Sequence, residues 1–501
     1  MSQVTEVVKI RRKVFAELAR MAFAGTLKKD IATILNTVVT EEGPRYRCCV
    51  HKERAVLHNR INLALSQPMT VSIAEAASAA LQGNKATMPV VNVLPEACDQ
   101  CPIDKFLVTD ACRNCIAHNC MAACPKKAIH VVLNRAYIDK NKCVECGLCK
   151  KSCEYGAIIE ISRPCERACD LGAIKAGADR RAVIDYEKCV QCGACKTTCP
   201  FGAVGDKSFI VQLIQTLKAG KRVYAILAPA FIGQFGFKVK PGQVVEALKK
   251  MGFHDVYEAS FGADLVTMTE AKELAETLAE NPKSFLTTSC CPAFAGMVQK
   301  HMPEIANRVS TTVSPMVATG KIIRDKDPEA VTVFIGPCVA KKAEAEETKG
   351  IIDYVFTFEE LAAMMVGAGI NLAEVENTDY HSTASRDGNG FACAGGVTCS
   401  VIDTAAIISP EVKIIAQCGE GLSECQKILK QIQSGQISAN FFEGMACVGG
   451  CVGGPSVMAD RRVTGKLVAS FAADAFVEES VQNKPVSELL AKGGHWHRIP
   501  S

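Results

Sequence analysis

The sequence holds little that would suit a membrane, a nucleic acid or export from the cell. No charge-free apolar stretch approaches the ~18 residues that a membrane-spanning helix requires. Lys and Arg number 57 and Asp and Glu number 53, a near balance that by itself favours neither a nucleic acid nor an acidic partner. The first six residues lack the basic and then apolar layout of a secretory signal. We therefore expect a cytoplasmic protein with no membrane span and no nucleic-acid partner.

Cysteine is abundant instead, with 27 thiols among 501 residues. A chain of this length has room for about three domains, and its core does not need disulfides. A reducing cytosol would not keep them either. The thiols are therefore predicted to be metal ligands, and a secreted disulfide scaffold or a set of zinc ribbons are the alternatives.

Residues 1–95 carry apolar side chains at helical spacing on both sides of Gly25, which predicts a helical N-terminal segment. The adjacent Cys48 and Cys49 lie in a basic run. We interpret this run as a solvated face, because neighbouring cysteines bind one metal poorly.

Residues 96–205 carry cysteines at the spacing of bacterial ferredoxins. The pattern C-x2-C-x2-C-x3-C occurs in full twice, at Cys143, Cys146, Cys149 and Cys153 and at Cys189, Cys192, Cys195 and Cys199. In such runs three cysteines bind one 4Fe-4S cube and the fourth binds the neighbouring cube. Tetrahedral zinc would normally draw pairs from two separate knuckles. We expect two tandem ferredoxin-like modules that carry single electrons at strongly negative potential.

Incomplete copies of the run supply further candidate ligands: Cys98, Cys101, Cys112, Cys115, Cys120, Cys124, Cys165 and Cys169. If each run gives its fourth cysteine to the neighbouring cube, these cysteines provide the ligands of four cubes. The four ligand sets are Cys112, Cys115, Cys120 and Cys153; Cys143, Cys146, Cys149 and Cys124; Cys189, Cys192, Cys195 and Cys169; and Cys98, Cys101, Cys165 and Cys199. An alternative partition, in which the two intact runs exchange ligands, also predicts four cubes. Three cubes, with Cys98 and Cys101 as bystanders, is the remaining alternative.

From about residue 206 onward, apolar strands alternate with helices. Strands are predicted at Val223–Ala228, Asp255–Glu258, Ser284–Thr287 and Val331–Ile335, and helices at Val244–Met251 and Met268–Ala279. This order is typical of an α/β domain whose cofactor loops follow the carboxyl ends of strands. The expected fold is therefore a multidomain α+β and α/β chain, with a helical segment over 1–95, ferredoxin-like modules over 96–205 and an α/β domain over 206–501.

Three short cysteine stretches bounded by Gly or Pro lie in this domain: Thr287–Phe294, Gly336–Glu344 and Glu443–Cys451. In this order they resemble the three signature motifs of the FeFe hydrogenases, and the resemblance runs from about Arg222 to Pro455. It implies a two-lobed catalytic domain that holds an H-cluster. This cofactor joins a 4Fe-4S cube to a two-iron subsite whose carbonyl, cyanide and bridging dithiolate ligands come from maturation proteins.

The resemblance also assigns roles to single residues. The cube would be bound by Cys291, Cys338, Cys447 and Cys451, and Cys451 would also bridge to the two-iron subsite. Lys341 would contact a cyanide and Glu344 would position that lysine. Met445 would line the open coordination site, and the remaining contacts to the cofactor would come from Phe391 and Pro229.

A proton relay is predicted to begin at Cys290. Its side chain points away from that of the neighbouring Cys291, and a thiol with a pKa near ~8.5 can carry a proton without being charged at rest. In the family the matching thiol passes protons to the bridging amine, and the relay continues through two glutamates and a serine, which Glu270, Glu273 and Ser310 match. Glu270 and Glu273 are three residues apart and share one helix face.

Several positions depart from the usual pattern of the family. Phe294 stands where tryptophan is usual, Gly336 where methionine is usual and Ala230 where serine is usual, and the glycine run before Pro455 is short. Such changes touch the shell around the subsite and resemble the divergent group B subgroup. We interpret four further cysteines as core thiols and the tail Gly494–His497 as a polar end; the four are Cys393, Cys399, Cys418 and Cys425.

We therefore expect an anaerobic hydrogenase that interconverts two protons and two electrons with dihydrogen and exchanges electrons with ferredoxin through four accessory clusters. A hydrogen sensor with slow turnover, a cluster-assembly protein without the two-iron subsite and a plain electron carrier are the alternatives. Lys341 and the Cys290–Cys291 pair disfavour the assembly protein, and a plain carrier leaves the second half of the chain without a role.

Overall fold

The computed structural model describes residues 4–99, 101, 105–179, 181–348 and 350–498. Its N-terminal segment is helical, as the sequence predicts, with α1 Glu6–Ala24, α2 Leu27–Asp30, α3 Ile34–Val38, α4 Val50–Ala64 and α5 Ile73–Leu81. Gly25 ends α1 in the left-handed conformation at φ +75°, which favours glycine because it has no side chain.

The N-terminal helices pack directly on the C-terminal domain. α1 lies along the helix Phe358–Gly367, and the buried apolar side chains of both belong to one continuous core. Arg11 and Arg12 pair with the buried Glu359 of that helix at 2.7 and 3.1 Å. A buried carboxylate is costly unless it is paired, so these two contacts hold α1 in place.

Residues 91–206 form two similar modules, one inserted in the other. In the inner module, β2 Phe106–Val108 pairs with β5 Ile158–Glu160 around a hairpin of β3 Ile129–Val132 and β4 Arg135–Ile138. In the outer module, β1 Val91–Val93 pairs with β8 Val204–Asp206 around a hairpin of β6 Ile174–Ala176 and β7 Ala182–Ile184. The modules also contain the short helices α6 Asn119–Ala122, α7 Leu148–Lys151, α8 Pro164–Arg167 and α9 Ala194–Thr198. β1 precedes the inner module in the chain and β8 follows it. The cysteines just after β1, Cys98 and Cys101, therefore belong to the outer module.

The C-terminal domain is built on two parallel sheets. One has the order β10-β9-β12-β13 and contains β9 Val223–Leu227, β10 Asp255–Glu258, β12 Val331–Gly336 and β13 Tyr354–Thr357. The other has the order β11-β15-β14 and contains β11 Leu286–Thr287, β14 Ala416–Glu420 and β15 Phe441–Met445. Neighbouring strands are parallel in both sheets, so their carboxyl ends gather at one edge.

Helices cover these sheets and confirm the α/β expectation. They are α10 Ile210–Lys218, α11 Pro241–Lys250, α12 Ala259–Glu280, α13 Pro292–His301, α14 Pro315–Lys326, α15 Ala340–Glu347, α16 Phe358–Gly367, α17 Arg386–Gly390, α18 Gly396–Ile408, α19 Leu422–Gln433, α20 Arg461–Ala473 and α21 Lys484–Ala491. α12 begins well before the predicted start at Met268, because its first turns bury polar residues that blur the apolar pattern. Asp264, for example, accepts hydrogen bonds from Ser385 N at 2.8 Å and from Asn483 Nδ2 at 2.7 Å.

Candidate functional site

Three loops at strand ends meet around one cavity. β11 leads to Cys290 and Cys291, β12 to Cys338, and β15 to Cys447 and Cys451, and all five cysteines line one cavity. The rest of the lining is mostly Ala, Pro, Phe and Met, and Lys341 brings the one charged side chain among the described lining residues. The arrangement is an apolar chamber in which thiols and one ammonium converge.

Burial and mutual charge repulsion raise the pKa values of three of these thiols. Burial, reinforced by the charge of Cys291, raises the pKa of Cys338 to about 11. Burial and the charge of Cys338 raise the pKa of Cys451 to about 12 and also raise that of Cys447. Thiolates grouped in this way repel each other unless a cation lies between them, so the group is suited to a metal centre.

The number and origin of these thiols fit a 4Fe-4S cube. Cys291, Cys338, Cys447 and Cys451 come from three loops and line one cavity. A 4Fe-4S cube takes four cysteine ligands at separate corners. Among the described residues, no group of three or more His, Cys, Asp or Glu side chains was found that could hold a single metal ion.

Lys341 reaches the cavity from the first turn of α15. Its Nζ donates to Glu344 Oε2 at 2.6 Å and to the Cys290 carbonyl oxygen at 3.2 Å, and both charged side chains are buried. Lys341 and Glu344 thus form a neutral pair that holds the ammonium at the cavity wall. A buried ammonium with a hydrogen still free to donate is a good binding group for an anionic ligand.

Met445, Phe391 and Pro229 line the same cavity, and Glu344 lies behind its wall in contact with Lys341. The sequence reasoning missed other parts of the wall, notably Met316 and Phe334. Both come from regular elements and carry no motif, so only the packing of α14 and β12 could reveal them.

Two of the unusual residues have a clear packing reason. A Cβ at Gly336 would lie 2.7 Å from the Phe334 ring, so a larger side chain has no room there. Phe294 is fully buried, and its ring packs against Phe442 with centroids 5.8 Å apart. Phe294 also fills the space beside Gly444, whose Cβ would come within 2.2 Å of the ring. Phe294 is not among the residues that line the cavity, but it packs in the apolar cluster to which the lining residues Cys291, Cys338 and Ala446 also belong.

A line of polar groups leads from Cys290 toward the surface. Burial, and next the charge of Glu270, raise the pKa of Cys290 well above its usual value. Glu270 is itself fully buried, and burial together with the charge of Glu273 raises its pKa to about 8. The Ser310 hydroxyl donates to Glu273 Oε2 at 2.6 Å, and Glu273 is partly exposed. The residues predicted as a relay are therefore neighbours, in the order Cys290, Glu270, Ser310 and Glu273.

Glu270 is unusual because neither of its carboxyl oxygens has a hydrogen-bond partner among the described residues. The Ser310 hydroxyl and the Ser289 amide lie close enough to oppose the rise in its pKa, but neither reaches hydrogen-bond geometry with its oxygens. A buried carboxyl group without a partner is costly in a purely structural role. A group that exchanges protons with its neighbours can explain this arrangement.

The structure also groups the cysteines of the two modules. Cys143, Cys146 and Cys149 line one small pocket with Cys124, and Cys189, Cys192 and Cys195 line another with Cys169. Burial raises the pKa of Cys165 to about 11, and the next largest contributions come from Cys199, Cys101 and Cys98. Cys120 has Cys153 and Cys115 as its thiol neighbours, and Cys112 packs in the apolar cluster that the cysteines of the inner module share. This grouping corresponds to the first partition and not to an exchange between the two intact runs.

Backbone amides point at these sulfurs in a repeated pattern. Ala128 N, Ala173 N and Ala203 N donate to the Sγ atoms of Cys124, Cys169 and Cys199, each at 3.3 Å. Hydrogen bonds to ligand sulfurs are one of the factors that set the reduction potential of iron-sulfur clusters. The repetition indicates that the modules present equivalent sites.

The outer module touches the main cavity. The charge of Cys338 contributes to the raised pKa of Cys192, and Cys192 in turn contributes to that of Cys447. Ala446 lines both the main cavity and the pocket of Cys192. An electron on a cluster at Cys192 would therefore lie next to the main cavity.

Two interpretations of residues outside the site were wrong. Cys399 and Cys418 are exposed rather than core thiols, whereas Cys425 is buried. The tail is not simply a polar end, because Trp496 is only 6% exposed and packs into the core of the C-terminal domain.

Comparison with known proteins was consistent with this geometry. Residues 221–455 match the C-terminal domain of the iron-only hydrogenase large subunit, and residues 136–159 and 182–204 match the 4Fe-4S binding domain. Among the described residues, no helix has both the length and the apolar character to cross a membrane.

Three relatives illustrate the range of similar proteins. The chain is 31% identical over 369 residues to iron hydrogenase 1 of Clostridium pasteurianum, covering 63% of this chain and 64% of that protein, which is less than two thirds of its length. It is 29% identical over 384 residues to the large subunit of the periplasmic [Fe] hydrogenase of Nitratidesulfovibrio vulgaris, covering 65% of this chain and 87% of that one. It is also 30% identical over 138 residues to the cytosolic Fe-S cluster assembly factor NAR1 of Kluyveromyces lactis, covering 27% and 29%.

Proposed function

We propose that this chain, which is an FeFe hydrogenase-like protein with an H-cluster and 4Fe-4S clusters, is an oxidoreductase that reversibly converts two protons and two electrons into dihydrogen. The proposal depends above all on the main cavity. Its thiols and Lys341 adjoin both a line of proton-binding groups, which begins at Cys290, and the cysteines of the outer module. Hydrogen chemistry needs both, because protons and electrons reach the reacting atoms by different routes.

Cys291, Cys338, Cys447 and Cys451 would hold the cube, and Cys451 would also hold the two-iron subsite. When bound, that subsite supplies an open iron position and an amine base for forming or splitting dihydrogen. The ammonium of Lys341 would bind a cyanide ligand and Glu344 would keep it in position. The apolar side chains of Met445, Phe391 and Pro229 would exclude water from the chamber. Maturation proteins would have to deliver the subsite.

Protons would pass between Cys290 and the surface through Glu270, Ser310 and Glu273. Cys290 stays neutral in its buried position, so it can hold a proton without placing a charge beside the cofactor. Glu270, with a pKa of about 8, can both give and take a proton near neutral pH. Ser310 bridges to the partly exposed Glu273, where the proton would leave or enter.

Electrons would pass along four accessory 4Fe-4S clusters. The cluster nearest the main cavity would be that of Cys169, Cys189, Cys192 and Cys195, because Cys192 influences Cys447 directly. The inner module, whose Cys146 is exposed, would meet the external electron carrier. We propose a ferredoxin or a similar low-potential carrier in the cytoplasm as that partner.

The test is the rate of hydrogen evolution and uptake under anaerobic conditions, with a low-potential viologen, on protein loaded with the two-iron subsite. We expect turnover in both directions, and we expect Cys290→Ala to lower both rates by about 10²–10⁴-fold, the usual range for a positioned proton donor. Cys425→Ala is the matched control, since Cys425 is also a buried thiol but does not line the cavity.

Other outcomes would favour the other candidates. Slow turnover with a fully loaded subsite would favour a hydrogen sensor. Failure to load the subsite at all would favour a cluster-assembly protein, the role named for the similar protein NAR1. An unchanged rate in Cys290→Ala would remove the proposed relay while leaving the hydrogenase activity in place.

A further inference from the structure

The tail that follows α21 is docked beside the outer end of the proton path. Val313 N donates to the Trp496 carbonyl at 2.8 Å and Arg498 N donates to the Thr311 carbonyl at 2.6 Å, so Trp496–Arg498 pairs with Thr311–Val313 in antiparallel fashion. The Trp496 ring anchors the tail in the core. Arg498 adds a hydrogen bond to the Ser289 carbonyl at 2.7 Å. The exposed imidazole of His497 is thereby fixed next to Thr311.

A continuous set of hydrogen bonds joins this imidazole to Glu273. The Thr311 hydroxyl lies 2.8 Å from His497 Nδ1 and donates to Glu273 Oε1, also at 2.8 Å. A hydroxyl has a single hydrogen to donate, so while Thr311 donates to Glu273 it must accept the hydrogen of His497 Nδ1. The opposite oxygen of Glu273 accepts from Ser310 at 2.6 Å. His497, Thr311, Glu273 and Ser310 are thus joined by consecutive hydrogen bonds that converge on the Glu273 carboxylate from both sides.

We infer that His497 is the outermost group of the proton path and exchanges protons between water and Glu273 through Thr311; this inference rests on the relay in the proposed function. A hydronium ion of the solvent protonates Nε2 and becomes water, and the imidazolium gives its Nδ1 proton to the Thr311 oxygen. Thr311 gives its own hydrogen to the Glu273 carboxylate. The imidazole keeps the Nε2 hydrogen, so the net change is one proton moved from the solvent to Glu273. Release of protons follows the same steps in reverse.

The properties of Glu273 and of histidine explain why an imidazole is useful at the outer end of the proton path. Glu273 accepts four hydrogen bonds, from Thr311 N, Thr311 Oγ, Ser310 Oγ and Thr312 Oγ, and these compete with water for its oxygens. Histidine is the side chain best suited to exchange protons with water near neutral pH. The imidazole therefore offers Glu273 a route to solvent in addition to its own partly exposed side chain.

The test follows proton delivery to Cys290 without relying on turnover. The S–H stretch of a thiol absorbs in a region of the infrared spectrum that is otherwise almost empty, and Cys290→Ala identifies the band of this thiol. The full-length protein with its iron-sulfur clusters is diluted into D2O, and the conversion of S–H to S–D at Cys290 is timed. Protons and deuterons reach this buried thiol by the same path that the relay uses.

His497→Asn is the central variant, because the side-chain amide can still donate to Thr311 but cannot carry a proton across. We expect exchange at Cys290 to slow by at least about tenfold, and added imidazole to restore it. His495→Asn is the control, since His495 is an exposed histidine of the same tail. Trp496 is the single tryptophan of the chain, so its fluorescence reports whether the tail stays docked.

Thr311→Val provides a second variant if His497→Asn releases the tail. It removes the hydroxyl but keeps the backbone hydrogen bonds, and Thr311→Ser should recover exchange. If Glu273→Gln slows exchange while His497→Asn and Thr311→Val do not, the inference about His497 is wrong and the relay stands. If Glu273→Gln has no effect either, the relay in the proposed function is itself wrong.

Discussion

Replacing Glu270 by Gln should block proton transfer while leaving the cavity intact. Glu270 is fully buried, and neither carboxyl oxygen has a hydrogen-bond partner among the residues that the structure describes. An amide has nearly the shape of a carboxylic acid, but it neither gains nor loses a proton near neutral pH. The substitution therefore removes one proton-transfer step and very little packing.

The magnitude follows from the pKa of Glu270, which burial and the charge of Glu273 raise to about 8. The carboxyl group is then roughly nine-tenths protonated at pH 7 and roughly one-tenth protonated at pH 9. Hydrogen production needs the protonated form, so the part of the rate that depends on the relay should fall as the pH rises through about 8. Glu270→Gln should lose about 10²–10⁴-fold in both directions and should also lose this inflection.

The assay compares hydrogen evolution and uptake on both sides of pH 8 in wild-type protein and variant, each loaded with the two-iron subsite. Rates are expressed as the ratio of variant to wild type, because the driving force of the reaction itself changes with pH. Glu276→Gln is the control, since Glu276 lies on the same helix with its side chain 66% exposed. The reasoning is refuted if Glu270→Gln stays within about twofold of the wild type, far less than a positioned acid contributes.

Two further substitutions test the modules and their connection to the catalytic domain. Cys101→Ala and Cys199→Ala should remove the same accessory cluster, so the double variant should lose no more iron than either single variant, about four atoms per chain in a colorimetric assay; additive losses would show that the two cysteines serve different clusters. Asp206→Asn should lower the free energy of unfolding by about 3–5 kcal/mol, measured by denaturant titration, because it leaves the buried Lys196 and Lys342 with one carboxylate fewer. Burial favours the neutral form of Asp206, but the two lysines outweigh it and lower the pKa of Asp206. The stability that Asp206 contributes is therefore fully present above its unfolded pKa. In the wild type this stability should be lost as the pH falls below about 4, and the variant should show no such loss. A cost under about 1 kcal/mol, typical of exposed pairs, would contradict this account.

Cysteine spacing is informative because ligand geometry is local. The two intact runs from Cys143 and from Cys189 predict cube-binding loops directly, since three thiolates on one short loop can reach one cube. The partition of the remaining cysteines is a different kind of question. Cys98 and Cys101 meet Cys165 and Cys199 only because β1 pairs with β8 across the inserted inner module. No local pattern records that pairing.

Packing environments were also invisible in the sequence. Phe294 and Gly336 stood out as departures from the family, but their reasons lie in the neighbouring Phe442 ring and in the Phe334 ring. His497 likewise looked like part of a polar end, because nothing in the tail shows that Trp496 carries it to the proton path. Residues far apart in the chain meet through burial, and burial depends on the whole fold.

The sequence by itself determined the helical start, the paired ferredoxin-like modules, the α/β domain and the chemical type of the site, because periodicity, cysteine spacing and strand-end motifs are properties of short segments. Only the tertiary structure decided which thiols lie close together, that Glu270 is buried without a hydrogen-bond partner among the described residues, and which tail residue is linked to Glu273. These features depend on distances between segments that are remote in the chain. Such distances are fixed by the packing of the assembled core and not by any one stretch of residues.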